Sequence, residues 1–324
     1  MSDRPLLSVV IAATDSAQAV ARCVASLGAP MADGRVEVIV TAARDRINPQ
    51  RSGHGFTWLA VEPGMGLAEL RRLGLERSTA EIVAFIEDSC VVSPGWAEAW
   101  VSTFSRPWLL AATGPVEHGT PASVLDWAVF FCEYAPFLLP HRNETTTRLA
   151  GNNFAIRGNA LWESADSNGI HESLVVLDLT RSGRVPVFVS EALVWHTRHF
   201  TLREAVRDRL RFGLDYGRLQ ACEGHDARRL LAIALGPLIL LAQAGRLVST
   251  LVAKRRHWGQ FVETLPITLA LLTAWSVGEW LGRLHGLLPT AGCRRRGKAA
   301  RTALPTPGRA VSRPVDCRPV QVHV

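Results

Sequence analysis

The segment Ala80–Trp100, AEIVAFIEDSCVVSPGWAEAW, decides how the first half of the chain is interpreted. It opens with an apolar run typical of a buried strand, and Glu87, Asp88 and Ser89 follow before a Pro-Gly turn. Carboxylates at the carboxyl end of a strand in an open α/β sheet lie where such folds bind ligands. The segment therefore predicts a ligand site at the end of this strand, with a solvated loop as the alternative.

Strand-like and helix-like patterns alternate on the amino-terminal side of this segment. Leu6–Ala13 and Val36–Ala43 are strand-like runs, whereas Ala17–Gly28 and Gly66–Ser78 have the spacing of helices. A short strand is expected at Thr57–Val61. This alternation indicates βα units and an α/β fold with a mostly parallel sheet, the architecture of nucleotide-binding proteins.

Length and composition indicate how large a core the chain can form, and the positions of the charged residues show where its net positive charge lies. The 324 residues are 48% hydrophobic and 20% charged, enough for one large core and an appendage. Residues 291–324 hold eight of the 36 basic and one of the 29 acidic residues, which leaves 28 of each in the body. We expect this basic tail to be disordered and available to anionic lipid, and we expect no specific nucleic-acid partner.

The cysteines and the amino terminus indicate an intracellular protein. The six cysteines form no CxxC pair and no metal-ligand spacing, so we expect them to be reduced and cytosolic. Arg4 is followed by PLLSVVIAA, which has the pattern of a strand and not of a signal peptide. The catalytic part is therefore expected to stay inside the cell.

Five segments in a fixed order carry a resemblance to a known family. They are LSVVIAATD (Leu7–Asp15), LAELRRLGL (Leu67–Leu75), EIVAFIEDSCVVSPGW (Glu81–Trp96), LAGNNFAIR (Leu149–Arg157) and GRVPVFVSEALVWH (Gly183–His196). Together they resemble family 2 glycosyltransferases of the GT-A fold, of the bacterial type with a C-terminal apolar helical segment. The resemblance implies a nucleotide-diphospho-sugar transferase with a mixed, mostly parallel sheet. It also implies a nucleotide-sugar donor on one side and an acceptor on the other.

The resemblance assigns a metal and a donor site. Asp88 and Ser89 fall on the metal motif, where Ser89 replaces an acid, and His196 is a further ligand for Mn²⁺ or Mg²⁺. The donor residues implied are Ala12, Ala13, Thr14, Asp15, Arg71 and Glu87. The alternatives are a loop acid pair for Glu87 and Asp88 and a structural role for His196 at a strand end.

The resemblance also implies a catalytic base and an acceptor side. Glu172 is the candidate base, although Ser173 follows it where the family has aspartate, and His171 is the fallback. Glu172 could instead be a first-turn acid favoured by the helix dipole. Asn152, Asn153 and Trp96 are expected on the acceptor side, although asparagine after Gly151 is also common in turns.

The last third of the chain predicts membrane association. Leu230–Gly245 and Thr264–Gly278 carry no charge over 16 and 15 residues, fewer than the roughly 20 of a spanning helix. A spanning hairpin would place the basic linker Lys254–His257 outside the cell, so helices that dip into the cytoplasmic leaflet fit better. Trp258, Trp275 and Trp280 suit a membrane interface. A soluble helical subdomain or an oligomer interface is the alternative.

These observations predict three regions and two possible functions. The regions are a GT-A-like domain over 1–218, a membrane-associated helical segment over 219–288 and a disordered tail over 289–324. The first function is transfer of a single sugar, with inversion, onto a lipid-linked or glycan acceptor at the cytoplasmic face of the cell membrane. The second is a catalytically impaired homologue that binds a nucleotide sugar or a partner at the membrane.

Overall fold

A computed structural model describes residues 4–44, 56–119, 122–141, 143–158, 169–223 and 236–285. The expected α/β fold with a mixed, mostly parallel sheet is confirmed. The strands are β1 Leu7–Ala13, β2 Val36–Ala43, β3 Thr57–Val61, β4 Ile82–Glu87, β5 Cys90–Val92, β6 Ala111–Thr113, β7 Val116–His118, β8 Asn153–Arg157, β9 Val187–Phe188 and β10 Val194–His196. The helices are α1 Ala17–Ser26, α2 Gly28–Ala32, α3 Leu67–Arg77, α4 Trp96–Thr103, α5 Val124–Tyr134, α6 Glu172–Arg181, α7 Leu202–Glu223, α8 Ile239–Lys254 and α9 Trp258–His285.

Seven strands form the main sheet in the order β3-β2-β1-β4-β8-β6-β9. β1 pairs in parallel with β2 and β4, and β8 is antiparallel to both of its neighbours, β4 and β6. Every residue of β1 and β4 is buried, as expected for central strands covered on both faces. The register sets Ala12 opposite Glu87 and Ile86 opposite Asn153, so the ends of β1 and β4 and the start of β8 share one edge.

A second, three-stranded sheet lies next to this edge, in the order β5-β10-β7. β5 follows β4 after only two residues, so the small sheet is attached directly to the end of a central strand. His196 of β10 lies opposite Cys90 of β5 and beside His118 of β7. The segment Glu87–Ser89 therefore connects the two sheets.

Helix α3 packs unusually closely on β1. A Cβ atom added to Gly74 would lie 2.2 Å from Cγ1 of Val10, so only glycine permits this approach. Arg71 lies about one turn earlier on the same helix and is buried. The close packing of α3 thus brings the Arg71 side chain to the edge of the sheet.

The C-terminal helices pack on the rest of the protein. At the crossing of α7 and α9, Cβ atoms added to Gly213, Gly217, Gly278 or Gly282 would lie 2.1–2.3 Å from backbone atoms of the other helix. Helix α9 is also long and apolar enough to cross a membrane, with a mean hydropathy of 1.4 over its best window, but 39% of that window is buried in the protein. The boundary predicted at residue 218 lies within α7, and 230–235 of the first apolar stretch are outside the described residues.

The linker between α8 and α9 is bound to the small sheet and its surroundings. Lys254 Nζ donates to the carbonyls of Leu138 and Pro140. Arg256 Nη1 lies 2.7 Å from Oε1 of Glu117 on β7. Arg255 adopts a left-handed backbone conformation with φ of 54°, which ends α8 and turns the chain. The basic linker therefore lies against the sheet domain.

Candidate functional site

The predicted donor loop and the predicted metal motif meet between β1 and β4. The backbone N–H groups of Thr14 and Asp15, directly after β1, donate to the two carboxylate oxygens of Asp88 at 3.2 and 2.8 Å. The sheet is extended from β1 by β2 and β3 on one side and by β4 on the other, so the strand order reverses here. Open α/β sheets bind ligands at such a switch point, outside the carboxyl ends of the strands.

Asp88 holds the two loops together. Its side chain is buried, and burial raises its pKa while the N–H groups of Asp15 and Thr14 act in the opposite direction. Both of its oxygens are engaged by backbone donors. Ala12 and Ala13, the last residues of β1, are also buried, so Thr14 and Asp15 are the parts of the predicted donor loop that leave the sheet.

Arg71 connects three segments that the sequence assigned to the site. Its Nη1 lies 3.0 Å from Oε2 of Glu172, and its Nη2 lies 3.4 Å from Oε1 of Glu87 and donates to the carbonyl of Gly151 at 2.8 Å. Nη1 also approaches the Ile170 carbonyl at 3.4 Å. The Arg71 side chain is 5% exposed. The structure therefore brings Arg71, Glu87 and Glu172 together, with the guanidinium bound to protein acceptors.

Glu87 is the more deeply buried of the two glutamates. Burial raises its pKa to about 7, against the opposing charges of Arg71 and Arg198. Near neutral pH the carboxyl group is therefore divided between its charged and protonated forms. Its backbone carbonyl accepts the thiol of Cys23, which packs beneath the strand.

Glu172 begins α6 and is held at the edge of the site by the loop before it. Gly169 has φ of 101°, and a Cβ there would lie 2.3 Å from the Ala68 carbonyl carbon of α3. The Ile170 N–H donates to the Ala68 carbonyl at 2.8 Å, which fixes the loop on α3. The Glu172 side chain is 37% exposed, and Oε1 has no hydrogen bond among the described residues. His171 is the N-cap of α6, and its side chain makes no capping hydrogen bond.

The predicted acceptor-side residues form a buried junction. Trp96 Nε1 donates to Asn153 Oδ1 at 3.0 Å, and Asn153 Nδ2 donates to the carbonyls of Pro115 and Ala192 at 2.9 and 2.7 Å. These bonds join α4, β8 and the small sheet. The amide of Asn152 is buried without a partner among the described residues. Asn153 and Trp96 therefore act in packing here.

The predicted metal residues do not converge on a cation site. His196 is packed between the rings of Tyr134 and Phe200, and burial lowers its pKa to about 3, so it is neutral. The Ser89 hydroxyl is buried and has no partner within the part of the chain that the structure describes. No group of three His, Cys, Asp or Glu side chains in that part could hold a metal ion. One carboxylate, one hydroxyl and one imidazole packed against aromatic rings form a weak set of ligands for a hard cation, so this donor set does not fit a divalent metal ion.

Sequence reasoning missed the segment after β10. Thr197 donates from its N–H and its hydroxyl to the Ser89 carbonyl at 2.8 and 2.9 Å. His199 Nδ1 lies 2.9 Å from Oδ2 of Asp126, whose oxygens also accept the N–H groups of Ser123 and Phe200 at 3.0 Å. The run His-Thr-Arg-His at the end of the last strand was a usable signal, but no local pattern links it to Asp126.

Comparisons with known proteins identify similar structures only. No protein-family model matches the chain, and no curated protein matches it in sequence. The mannosyltransferase PcManGT from Pyrobaculum calidifontis, solved with GDP-Man and Mn²⁺, is 15% identical with a TM-score of 0.49 over 85% of this chain and 87% of that one. GalNAc-T7, solved with UDP, GalNAc and Mn²⁺, is 14% identical with a TM-score of 0.46 over 60% of this chain and 44% of that one.

Proposed function

We propose that the chain is a glycosyltransferase that moves a single sugar, with inversion, from a nucleoside diphosphate sugar to a lipid-linked or glycan acceptor. The observation that carries the proposal is the meeting of Thr14–Asp15, Glu87–Asp88 and Glu172 at the switch point of the sheet. Nucleotides bind to open α/β sheets at such a point, outside the carboxyl ends of strands like β1 and β4. A partly exposed carboxylate beside it supplies the base that a hydroxyl acceptor requires.

The reaction assigned to this site is a direct displacement. Oε1 of Glu172 takes the proton of the acceptor hydroxyl while the acceptor oxygen attacks the anomeric carbon. The bond between that carbon and the β-phosphate oxygen breaks, and the nucleoside diphosphate leaves. Arg71, bonded to Oε2 at 3.0 Å, positions the carboxylate and holds α6 against the sheet. Attack from the side opposite the leaving group inverts the anomeric centre.

A binding protein without transferase activity is the second candidate. It is favoured by the ion pair between Glu172 and Arg71, because one oxygen of the candidate base is already bound to a guanidinium. The absence of a second acid at Ser173 supports the same alternative. The two candidates differ in one observable: both bind a nucleotide sugar, and only the transferase releases nucleoside diphosphate.

We further propose that the protein works at the cytoplasmic face of the cell membrane, on anionic lipid. On α7, exposed Leu202, Val206 and Leu210 alternate with exposed arginines at 203, 207 and 211. Helices α8 and α9 add exposed apolar side chains, namely Leu241, Val248, Val252, Val262, Leu265 and Leu269. A basic amphipathic surface of this kind suits headgroups above and acyl chains below.

The transferase proposal is tested by incubating the full-length protein with a panel of UDP and GDP sugars and an extract of lipid acceptors. We expect release of nucleoside diphosphate and a new glycoconjugate with one of the donors. Glu172→Gln should slow release by about two to four orders of magnitude and leave donor binding intact. Glu191→Gln, which changes an exposed carboxylate elsewhere, is the matched control. Donor binding without release by the wild type would favour the binding protein.

Membrane association is tested by co-sedimentation with vesicles. We expect binding to vesicles that contain phosphatidylglycerol and weaker binding to pure phosphatidylcholine vesicles. Replacing the three α7 arginines with glutamine should reduce the difference, since each basic residue contributes about 1 kcal/mol near an anionic surface. Failure of the protein to sediment with either kind of vesicle would contradict the proposed location.

A further inference from the structure

We propose that Arg198 and His199 bind the diphosphate of the donor, at the place where the sequence motif predicts a metal ion. This inference rests on the proposed function, because it takes the ligand to be a nucleoside diphosphate. It differs from the prediction made on the sequence, in which Asp88, Ser89 and His196 bound the diphosphate through a cation. The donor set described above does not fit that cation.

The position of Arg198 is set by its neighbour Thr197. Two hydrogen bonds from Thr197 to the Ser89 carbonyl fix this segment beside Glu87–Ser89. Asp88 in turn binds the loop Thr14–Asp15. Arg198 therefore directly follows a residue that is bonded to the segment Glu87–Ser89, next to the switch point of the sheet.

Arg198 lacks the partners that bind other arginines near the site. Its guanidinium stacks on the ring of Phe200, 4.7 Å from the centroid, and forms no ion pair or hydrogen bond with the described residues. Arg71, in contrast, has four oxygen partners. A planar guanidinium without a carboxylate is suited to a phosphate, which it can bind through two parallel hydrogen bonds.

His199 is oriented by a buried acid. The Asp126 side chain is 2% exposed, whereas that of His199 is 64% exposed, and one hydrogen bond joins them. Nδ1 is directed to Asp126, and Nε2 has no partner among the described residues. When the ring is protonated, Nε2 donates to a phosphate oxygen while Nδ1 remains with Asp126.

The chemistry of the leaving group explains the need for these residues. A departing nucleoside diphosphate gains negative charge as the glycosidic bond breaks, and fixed positive groups at that position lower the barrier. Asp88 contributes no positive charge, and its oxygens are engaged by backbone donors. Arg198 supplies a fixed cationic group and His199 an imidazole nitrogen on the adjacent residue, anchored through Thr197 and Asp126.

The test measures binding of GDP and GMP, and of UDP and UMP, by calorimetry in the presence of EDTA. The wild type is expected to prefer the diphosphate of one pair by about tenfold or more, the contribution of a charged hydrogen-bonded contact. Arg198→Ala should bring that ratio close to one, and His199→Gln should reduce it about threefold to fivefold. Arg184→Ala, an exposed arginine away from the crevice, is the control and should leave the ratio unchanged.

Three other outcomes would overturn the inference, and they are distinguishable. An unchanged preference in a folded Arg198→Ala protein would remove Arg198 from the diphosphate site and leave the transferase proposal intact. Diphosphate binding that requires Mn²⁺ and is unaffected by Arg198→Ala would restore a metal site. Failure of the wild type to bind any of the four nucleotides, with or without Mn²⁺, would reject the donor class and this site together.

Discussion

Arg71 and Arg198 both lower the pKa of Glu87, and they differ in the partners that the protein gives them. Arg71 is 4% exposed and binds two carboxylates and two carbonyls, whereas Arg198 is half-buried and stacks only on Phe200. The first guanidinium has no capacity left for a ligand at Nη1 and Nη2. An arginine at a site can therefore have a structural role. The partners of its guanidinium indicate whether it is structural or available to a ligand, and its position in a motif does not.

The largest expected effect is on stability, at Arg71. Arg71→Met should lower the free energy of unfolding by about 3–5 kcal/mol, because removing one partner of a buried ion pair leaves Glu87 uncompensated. Urea unfolding of both proteins measures the change. The control is Arg72→Met, on the same helix, whose pair with Glu76 is solvent-accessible and should contribute about 0.5 kcal/mol or less. Equal losses in the two variants would remove the distinction made for Arg71.

The next effect concerns the pH dependence of stability, through Glu87. Its folded-state pKa of about 7 lies above its ordinary value of 4.5, so the folded protein retains a proton that the unfolded chain releases. The associated stability is complete below pH 4.5 and is lost as pH rises through about 7. Relative to Glu87→Gln, the wild type should lose about 1–3 kcal/mol between pH 4.5 and 7.5. If the free energies of unfolding of the two proteins change in parallel over this pH range, Glu87 is ionised in the folded protein throughout the range.

The sequence predicted the sheet well because the signal there is local. Central strands such as β1 and β4 are continuous apolar runs that end in loops with polar residues, and each pattern is read within ten residues. The meeting of Asp88 with Thr14–Asp15 also followed from the alternation of strands and helices. Parallel strands place their carboxyl ends at one edge, so the closeness of the two loops is understandable from the sequence alone.

The roles inside the site were not accessible in the same way. Asn153 and Trp96 were assigned to the acceptor side, yet their hydrogen bonds are to each other and to two distant carbonyls. The bond between His199 and Asp126 spans 73 residues, and no periodicity reports a pairing of that separation. The pairing of hydrogen-bond donors and acceptors in the site depends on loop conformation. The loop before Glu172 is an example, because it requires a φ of 101° at Gly169.

A smaller effect is expected at Asp126, which anchors the segment carrying Arg198. Asp126→Ala removes acceptors from the N–H groups of Ser123 and Phe200 and should cost about 2 kcal/mol, at the upper end for a helix cap. It should also weaken diphosphate binding to the level of His199→Gln, because the imidazole loses its anchor. Glu204→Ala, which removes an exposed acceptor from the Thr201 N–H at the start of α7, should cost less and leave binding unchanged.

Substitution of Arg198 is expected to have the smallest effect on stability. The same substitution is expected to have the largest effect on the preference for nucleoside diphosphate over monophosphate. Arg198→Ala removes a stacking contact on Phe200 and no ion pair with the described residues, so unfolding should change by about 0.5–1 kcal/mol or less. Arg198→Lys sharpens the result, since lysine keeps the charge but not the planar fork, and should recover only part of the diphosphate preference. A loss of stability as large as that of Arg71→Met would instead make Arg198 a structural residue, and the contrast between the two arginines would fail.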